Sequence, residues 1–174
     1  MIKLYFILAL SITSIFLLVK RKKFNRHSYN WKKAKQIKDK LDTFEGDYKE
    51  ARILAYLRKI DPFVFEELIL YCFHLQGLKI IRNKKYTGDG GIDGKVINDN
   101  RKSFVQAKRY SSHINLEHVK EFRDLVKNNS WANHGYFIHT GRTGKGVYDI
   151  LPYSDITIIS GQKLIDLIST KMPS

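Results

Sequence analysis

The chain is short of acid. Seventeen Asp and Glu stand against 31 Lys and Arg, a net charge of +14, and an imbalance of that size points to an anionic partner: nucleic acid, an acidic membrane surface, or both. The shortage is uneven. Residues 1–60 hold 15 basic and 5 acidic side chains, whereas 61–174 hold 16 and 12, so the C-terminal part is only mildly basic. Cysteine is nearly absent too. The single Cys72 excludes an internal disulfide, fits a reducing compartment, and in its apolar run is expected to act as a small buried hydrophobe. No internal repeat or low-complexity tract occurs. His113, His118 and His134 lack metal-ligand spacing and are expected at the surface. Thr140-Gly141-Arg142-Thr143-Gly144-Lys145-Gly146 has the wrong glycine and lysine spacing for a P-loop, and no Lys-Ser/Thr pair follows, which excludes that nucleotide-binding device.

What is present begins with an uncharged run from Leu4 to Val19, bounded by Lys3 and by Lys20-Arg21-Lys22-Lys23. As a helix it would span about 24 Å, a little short of the ~30 Å hydrocarbon core, and flanking lysines can snorkel to the interface. A secretory signal peptide is the rival, but the basic stretch after Val19 offers no small-residue cleavage site. The expectation is one span, N-terminus out, with the remainder held in the cytoplasm at the inner membrane by the positive cluster. Residues 20–40 carry 10 Lys/Arg and one acid, Asp39, a charge suited to anionic headgroups, to DNA phosphates, or only to fixing orientation. Two helical stretches, Trp31 to Phe44 and Asp47 to Ile60, follow.

The centre of the chain is a hairpin. Thr87-Gly88-Asp89-Gly90-Gly91-Ile92-Asp93-Gly94 and Phe104-Val105-Gln106-Ala107-Lys108-Arg109 flank a turn-type cluster, Asn98-Asp99-Asn100-Arg101, which predicts two antiparallel strands. With Asp99 and Asn100 as the loop, paired positions sum to 199 and Asp93 lies opposite Gln106. The period of two then gathers Asp93, Gln106 and Lys108 on one surface and sends Ile92, Val96, Val105 and Ala107 to the other. Spacing alone leaves an ordinary solvated sheet face as an equal alternative, since Lys95 and Lys102 share that surface. Asp89 competes with Asp93, but its glycine neighbours suit a turn.

Gly88-Asp89-Gly90-Gly91-Ile92-Asp93, a short hairpin and then Gln106-Ala107-Lys108-Arg109-Tyr110 resemble the Mrr-type restriction endonuclease domain. That is a branch of the PD-(D/E)xK nucleases with glutamine where the wider superfamily has glutamate. The resemblance runs from about Asp61 to about Ile168. It implies an endonuclease for double-stranded DNA that uses Mg²⁺ or Mn²⁺, with Asp93, the Gln106 side-chain oxygen and the Ala107 carbonyl as metal ligands and Lys108 acting on the attacking water. It also implies a metal-site role for a glutamate early in the first helix. Asp61-Pro62 opens that helix as N-cap and first position. Within it Glu66 lies on the apolar stripe of Phe63, Ile69, Leu70 and Phe73, so a partner is needed; a marginal salt bridge is the alternative to a metal. Glu67, Tyr71 and His74 mark the wetter stripe. Arg109 and the loop residues Thr140, Arg142 and Lys145 are the expected DNA contacts.

Further on, a strand (Leu78 to Tyr86), an amphipathic helix (Asn115 to Asn129), a parallel strand (Tyr136 to Thr140), a fifth strand (Asp155 to Ile159) and a closing helix (Gln162 to Thr170) complete the order. The expected fold is an α/β, restriction-endonuclease-like mixed sheet of about five strands flanked by helices, an αβββαβ core behind one transmembrane helix. The expected layout is an anchor at 1–20, a basic linker at 21–60 and the nuclease domain at 61–174. The linker is too short for a winged-helix recognition domain, and a homodimer stays open. Two rival functions remain: a non-catalytic membrane-tethered module that binds DNA or a protein partner, and a junction-resolvase-like nuclease.

Overall fold

The computed structural model describes residues 26–83, 90–153 and 155–170, together with Tyr5 and Ser14. The expected span at 4–19 and the turn acid Asp89 therefore lie outside the described residues, the two isolated positions excepted. Among those described, no helix is long and apolar enough to cross a membrane.

A helix over 26–42, α1, leads to α2 (Lys49–Leu57) and α3 (Pro62–Leu75). Then come β1 (Lys79–Arg82), β2 (Gly94–Asn98), β3 (Arg101–Lys108), α4 (Leu116–Lys127), β4 (His134–His139), α5 (Lys145–Ile150), β5 (Ile156–Ile159) and α6 (Gln162–Ser169). The strands form one mixed sheet in sequential order. β1, β2 and β3 are antiparallel, and β3, β4 and β5 are parallel. Local chemistry accounts for the boundaries. The Asp61 carboxylate accepts from the amides of Phe63 and Val64 and caps α3, and Gly77 at φ +87° ends it. The hairpin register is the expected one: Gly94 pairs with Val105 and Asn98 with Arg101, with Asp99 at φ +49° in the loop.

Two cores cover the two faces. Val96, Val105, Ala107 and Ile138 face α3 and α6; Phe104, Phe137 and Ile158 face α4 and α5. The face that carries Gln106 and Lys108 is thus not a solvated one, and β3 is buried continuously from Ser103 to Ala107. Ile92 departs from the expected alternation. It precedes β2 and joins the α4-side core, because the chain leaves strand geometry before Gly94. α3 sits hard on β2: a Cβ at Gly94 would meet Leu70 Cδ2 at 2.6 Å.

Residues 26–60 are not a linker beside the domain. Ala34, Ile37 and Leu41 of α1 and Ile53 and Leu57 of α2 are buried in the same core as α3. That packing overturns the expected wet stripe of α3 at Glu67, leaves Tyr71 half-buried and leaves only His74 exposed as expected. Glu67 is 2% exposed, with His27 Nδ1 at 3.0 Å and Arg82 Nε at 3.4 Å, and Trp31 meets the Tyr71 ring edge-on at 5.2 Å. Glu66, expected inside, is only half-buried. One-helix periodicity could not separate the two, because the covering helix is 25 or more residues away in sequence. Some of the basic run is likewise engaged internally: Lys38 is 2% exposed and 2.6 Å from both Asp42 oxygens.

If α1 is part of the core, Leu41→Ala costs about 2–5 kcal/mol in urea unfolding, the range for a filled site that becomes a cavity. A loss below about 0.5 kcal/mol, normal for a surface change, would show α1 to be a detachable arm.

Candidate active site

The polar groups collect where β2 begins and β3 ends. Asp93 donates its amide to the Val105 carbonyl (2.8 Å), continuing the ladder one residue past Gly94. Its carboxylate Oδ2 then accepts from the Ala107 amide at 2.7 Å. Amide and carbonyl of one strand residue leave on the same edge and alternate along the strand. The Lys108 carbonyl accepts from Thr140 on the β4 edge, so the Ala107 carbonyl is directed to the Asp93 edge. Asp93, half-buried, therefore lies at the ladder's end beside Ala107.

Gln106 is 6% exposed and donates Nε2 to the Gly91 carbonyl at 2.7 Å. A carbonyl can only accept, so the amide must present its NH₂ there and turn Oε1 away. That Oε1 is buried and, among the described residues, has no hydrogen-bond partner. Gly91, at φ +89°, permits the approach; a Cβ there would fall 2.5 Å from Gln106 Nε2.

Lys108 is half-buried, and among the described residues its ammonium has no hydrogen-bond or ion-pair partner. It pairs across the parallel ladder with His139, which is 0% exposed. Burial pushes His139 down to about 4, against a smaller upward effect of the Gly141 backbone. It is neutral at pH 7 and adds no charge beside Lys108. Its Nε2 lies 3.2 Å from Thr143 Oγ1, itself 3.2 Å from Ser160 Oγ. Sequence reasoning passed over His139, whose one signal is its two-residue spacing from the core residue Phe137. His134, expected at the surface, is 5% exposed between Ser103 Oγ (3.1 Å) and Thr157 Oγ1 (3.0 Å); burial, then Arg101, lower it to about 4, with Asp155 opposing.

The remaining candidates divide. Glu66 stands one turn before the Leu70 that packs on Gly94, on the same helix stripe, and has interactions of its own. Thr140 is not a surface phosphate ligand: it is 1% exposed, and its hydroxyl accepts from the Tyr110 amide (2.9 Å) and donates to the Tyr110 carbonyl (3.0 Å). The β3–β4 ends need that staple, which a reading of the loop by composition could not foresee. Arg109 is half-buried and donates Nη1 to the Arg58 carbonyl at 3.1 Å. Arg142 and Lys145 are exposed.

Among the described residues no three His, Cys, Asp or Glu side chains converge on a metal. The set at the strand end is different in kind: a carboxylate, a buried amide oxygen lacking a donor, and a main-chain carbonyl. All three are hard oxygen donors of the type that Mg²⁺ and Mn²⁺ take, so the residues present fit such an ion.

The chain is thus an α/β domain with a mixed sheet covered by helices, with an acid just before β2 and an amide and a lysine near the end of β3 at one end of that sheet. Residues 57–168 match the restriction endonuclease family Mrr_cat, and the chain belongs to that family, whose class of activity is endodeoxyribonuclease and whose members typically use divalent metal ions. The chain is also similar in fold to a solved structure, the MspJI restriction endonuclease in complex with a 27-mer oligonucleotide. The TM-score is 0.53 at 20% identity, over 72% of this chain and 32% of the other, so it spans about a third of that protein. No curated protein sequence matches it.

The two buried histidines predict acid sensitivity. An unfolded histidine titrates near 6.5, so between that pH and about 4 the unfolded chain binds protons that the folded chain refuses. Unfolding free energy should fall as pH drops through this window, by on the order of 2–3 kcal/mol per histidine. Urea titrations at pH 7, 5.5 and 4.5 measure it, and His139→Gln should flatten the dependence. A curve equally steep in that variant would assign the effect elsewhere.

Proposed function

We propose that this chain is a Mg²⁺-dependent endonuclease that cuts double-stranded DNA and is tethered to the inner membrane through residues 4–19, with residues 26–170 in the cytoplasm. The observation that carries the catalytic part is the buried Gln106 Oε1, which among the described residues has no donor, one residue along β3 from the Ala107 amide that the Asp93 carboxylate takes and two from Lys108. An acceptor kept from water without a partner costs roughly 1–3 kcal/mol, and a cation would remove that cost. The tether is supported by the uncharged run and the basic cluster that follows it.

In this reading Asp93, the Gln106 amide oxygen and the Ala107 carbonyl hold the ion, with Glu66 as a further acid on the α3 side. Mg²⁺ supplies charge neutralisation at the phosphate and makes water more acidic. Lys108, whose ammonium has no partner among the described residues, orients the attacking water and stabilises the added negative charge as the new P–O bond forms. The P–O bond to the leaving strand then breaks, and the leaving oxygen takes a proton. Glutamine in place of glutamate makes the ligand set one charge less negative, which weakens metal affinity. Arg109, Arg142 and Lys145 contribute the basic surface for the duplex.

The full-length chain purified in mild detergent should nick supercoiled plasmid with Mg²⁺. Asp93→Ala and Lys108→Ala should each lower the rate by about 10²-fold or more. Gln106→Glu should lower the Mg²⁺ concentration needed for half-maximal rate or binding. Equal nicking by the wild type and both alanine variants would refute the site. Tight DNA binding without cleavage at any Mg²⁺ or Mn²⁺ concentration would leave a non-catalytic tether instead.

A further inference from the structure

One cationic cluster at the catalytic end of the sheet includes a residue that no catalytic role absorbs. Arg58, just after α2, sends Nε and Nη2 to the Thr140 carbonyl at 3.0 and 2.9 Å, across 82 residues of sequence. Its own carbonyl accepts from Arg109 Nη1 at 3.1 Å. Thr140 closes the circuit by donating its amide to the Lys108 carbonyl. Arg58 and Arg109 are thus held by backbone oxygens alone at the end of β3, where Lys108 joins the circuit through its main-chain carbonyl and sends its side chain to the Gln106 face. Among the described residues no carboxylate lies within ion-pair distance of any of the three. Asp61, the acid nearest Arg58 in sequence, is turned to the capping amides of α3.

Carbonyl partners satisfy donors without cancelling charge. The end of α2 offers Arg109 only the partial negative charge of a helix C-terminus, equivalent to about half an electron. Arg109 Nε is buried and, among the described residues, has no acceptor. Arg58 remains exposed, with no partner for Nη1 among the described residues, and Lys59 beside it is exposed as well. An assembly with this much uncompensated positive charge and planar, immobilised guanidinium groups fits a phosphate.

We propose that Arg58 and Arg109 form a phosphate clamp beside Lys108 that grips the backbone of the duplex next to the bond to be cut, and that α2 thereby forms part of the DNA-binding surface. The proposal rests on the reading of the strand end as a nuclease site, but its test does not need cleavage. Binding of the full-length chain to a fluorescein-labelled 20-bp duplex is followed by anisotropy in EDTA between 50 and 300 mM salt. Arg58→Gln should lower the slope of log K against log salt by about 0.9, equivalent to roughly eightfold weaker binding at 0.1 M salt. Lys79→Gln, at the opposite end of the sheet, should leave the slope unchanged. In the wild type, phenylglyoxal labelling of Arg58 read by mass spectrometry should be suppressed by the duplex, a readout that holds even if Arg58→Gln does not fold. A wild-type slope in a folded Arg58→Gln chain, or labelling undiminished by DNA, would reduce Arg58 to a staple between α2 and β4. Loss of nicking in Asp93→Ala with an unchanged slope in Arg58→Gln would overturn the clamp alone; a lowered slope in a chain that never nicks would overturn the nuclease reading alone.

Discussion

A sheet buried on both faces can carry polar chemistry only at its ends, and that constraint organises this protein. α3 and α6 close one face and α4 and α5 the other. An unpaired polar group in the middle of β3 would be costly. Where β2 stops short of β3, the ladder is completed by a side chain: Asp93 Oδ2 takes the Ala107 amide that no further strand residue meets. One hydrogen bond thereby satisfies the main chain and brings a carboxylate beside Gln106, Ala107 and Lys108.

Charge follows the same geography. The one buried acid among the described residues, Glu67, lies away from the strand end, between His27 and Arg82 on the α1 side. At the strand end the balance reverses: among the described residues the Arg109 and Arg58 side chains have backbone partners and the Lys108 ammonium has none. His139, which could have added another cation, is held neutral by its burial. The strand end is positive toward an approaching polyanion and keeps its hard oxygens recessed.

The N-terminal third has a structural part that its composition conceals. Its lysines and arginines suggest a solvated or lipid-facing arm, yet Ala34, Ile37 and Leu41 fill the core over α3. Several of these cations lie on aromatic rings, Arg26 4.6 Å from the centre of Phe63 and Lys40 4.7 Å from that of Tyr56. Long basic side chains bury their stems while their charges stay near water, so a strongly basic helix can still be a core helix.

What the amino-acid sequence determined by itself was everything that depends on neighbours along the chain. The Asp61 cap, the Gly77 stop, the Asp99-Asn100 turn with its register from Gly94 to Arg101 and the order of elements all follow from turn chemistry and periodicity over a few residues. Only the tertiary structure decided which of two adjacent glutamates is buried, that Thr140 is a staple and not a ligand, that His134 and His139 lie inside, and that Arg58 reaches the Thr140 carbonyl. Each of these depends on elements separated in sequence packing against one another, and no local pattern encodes which side chain such an element will cover.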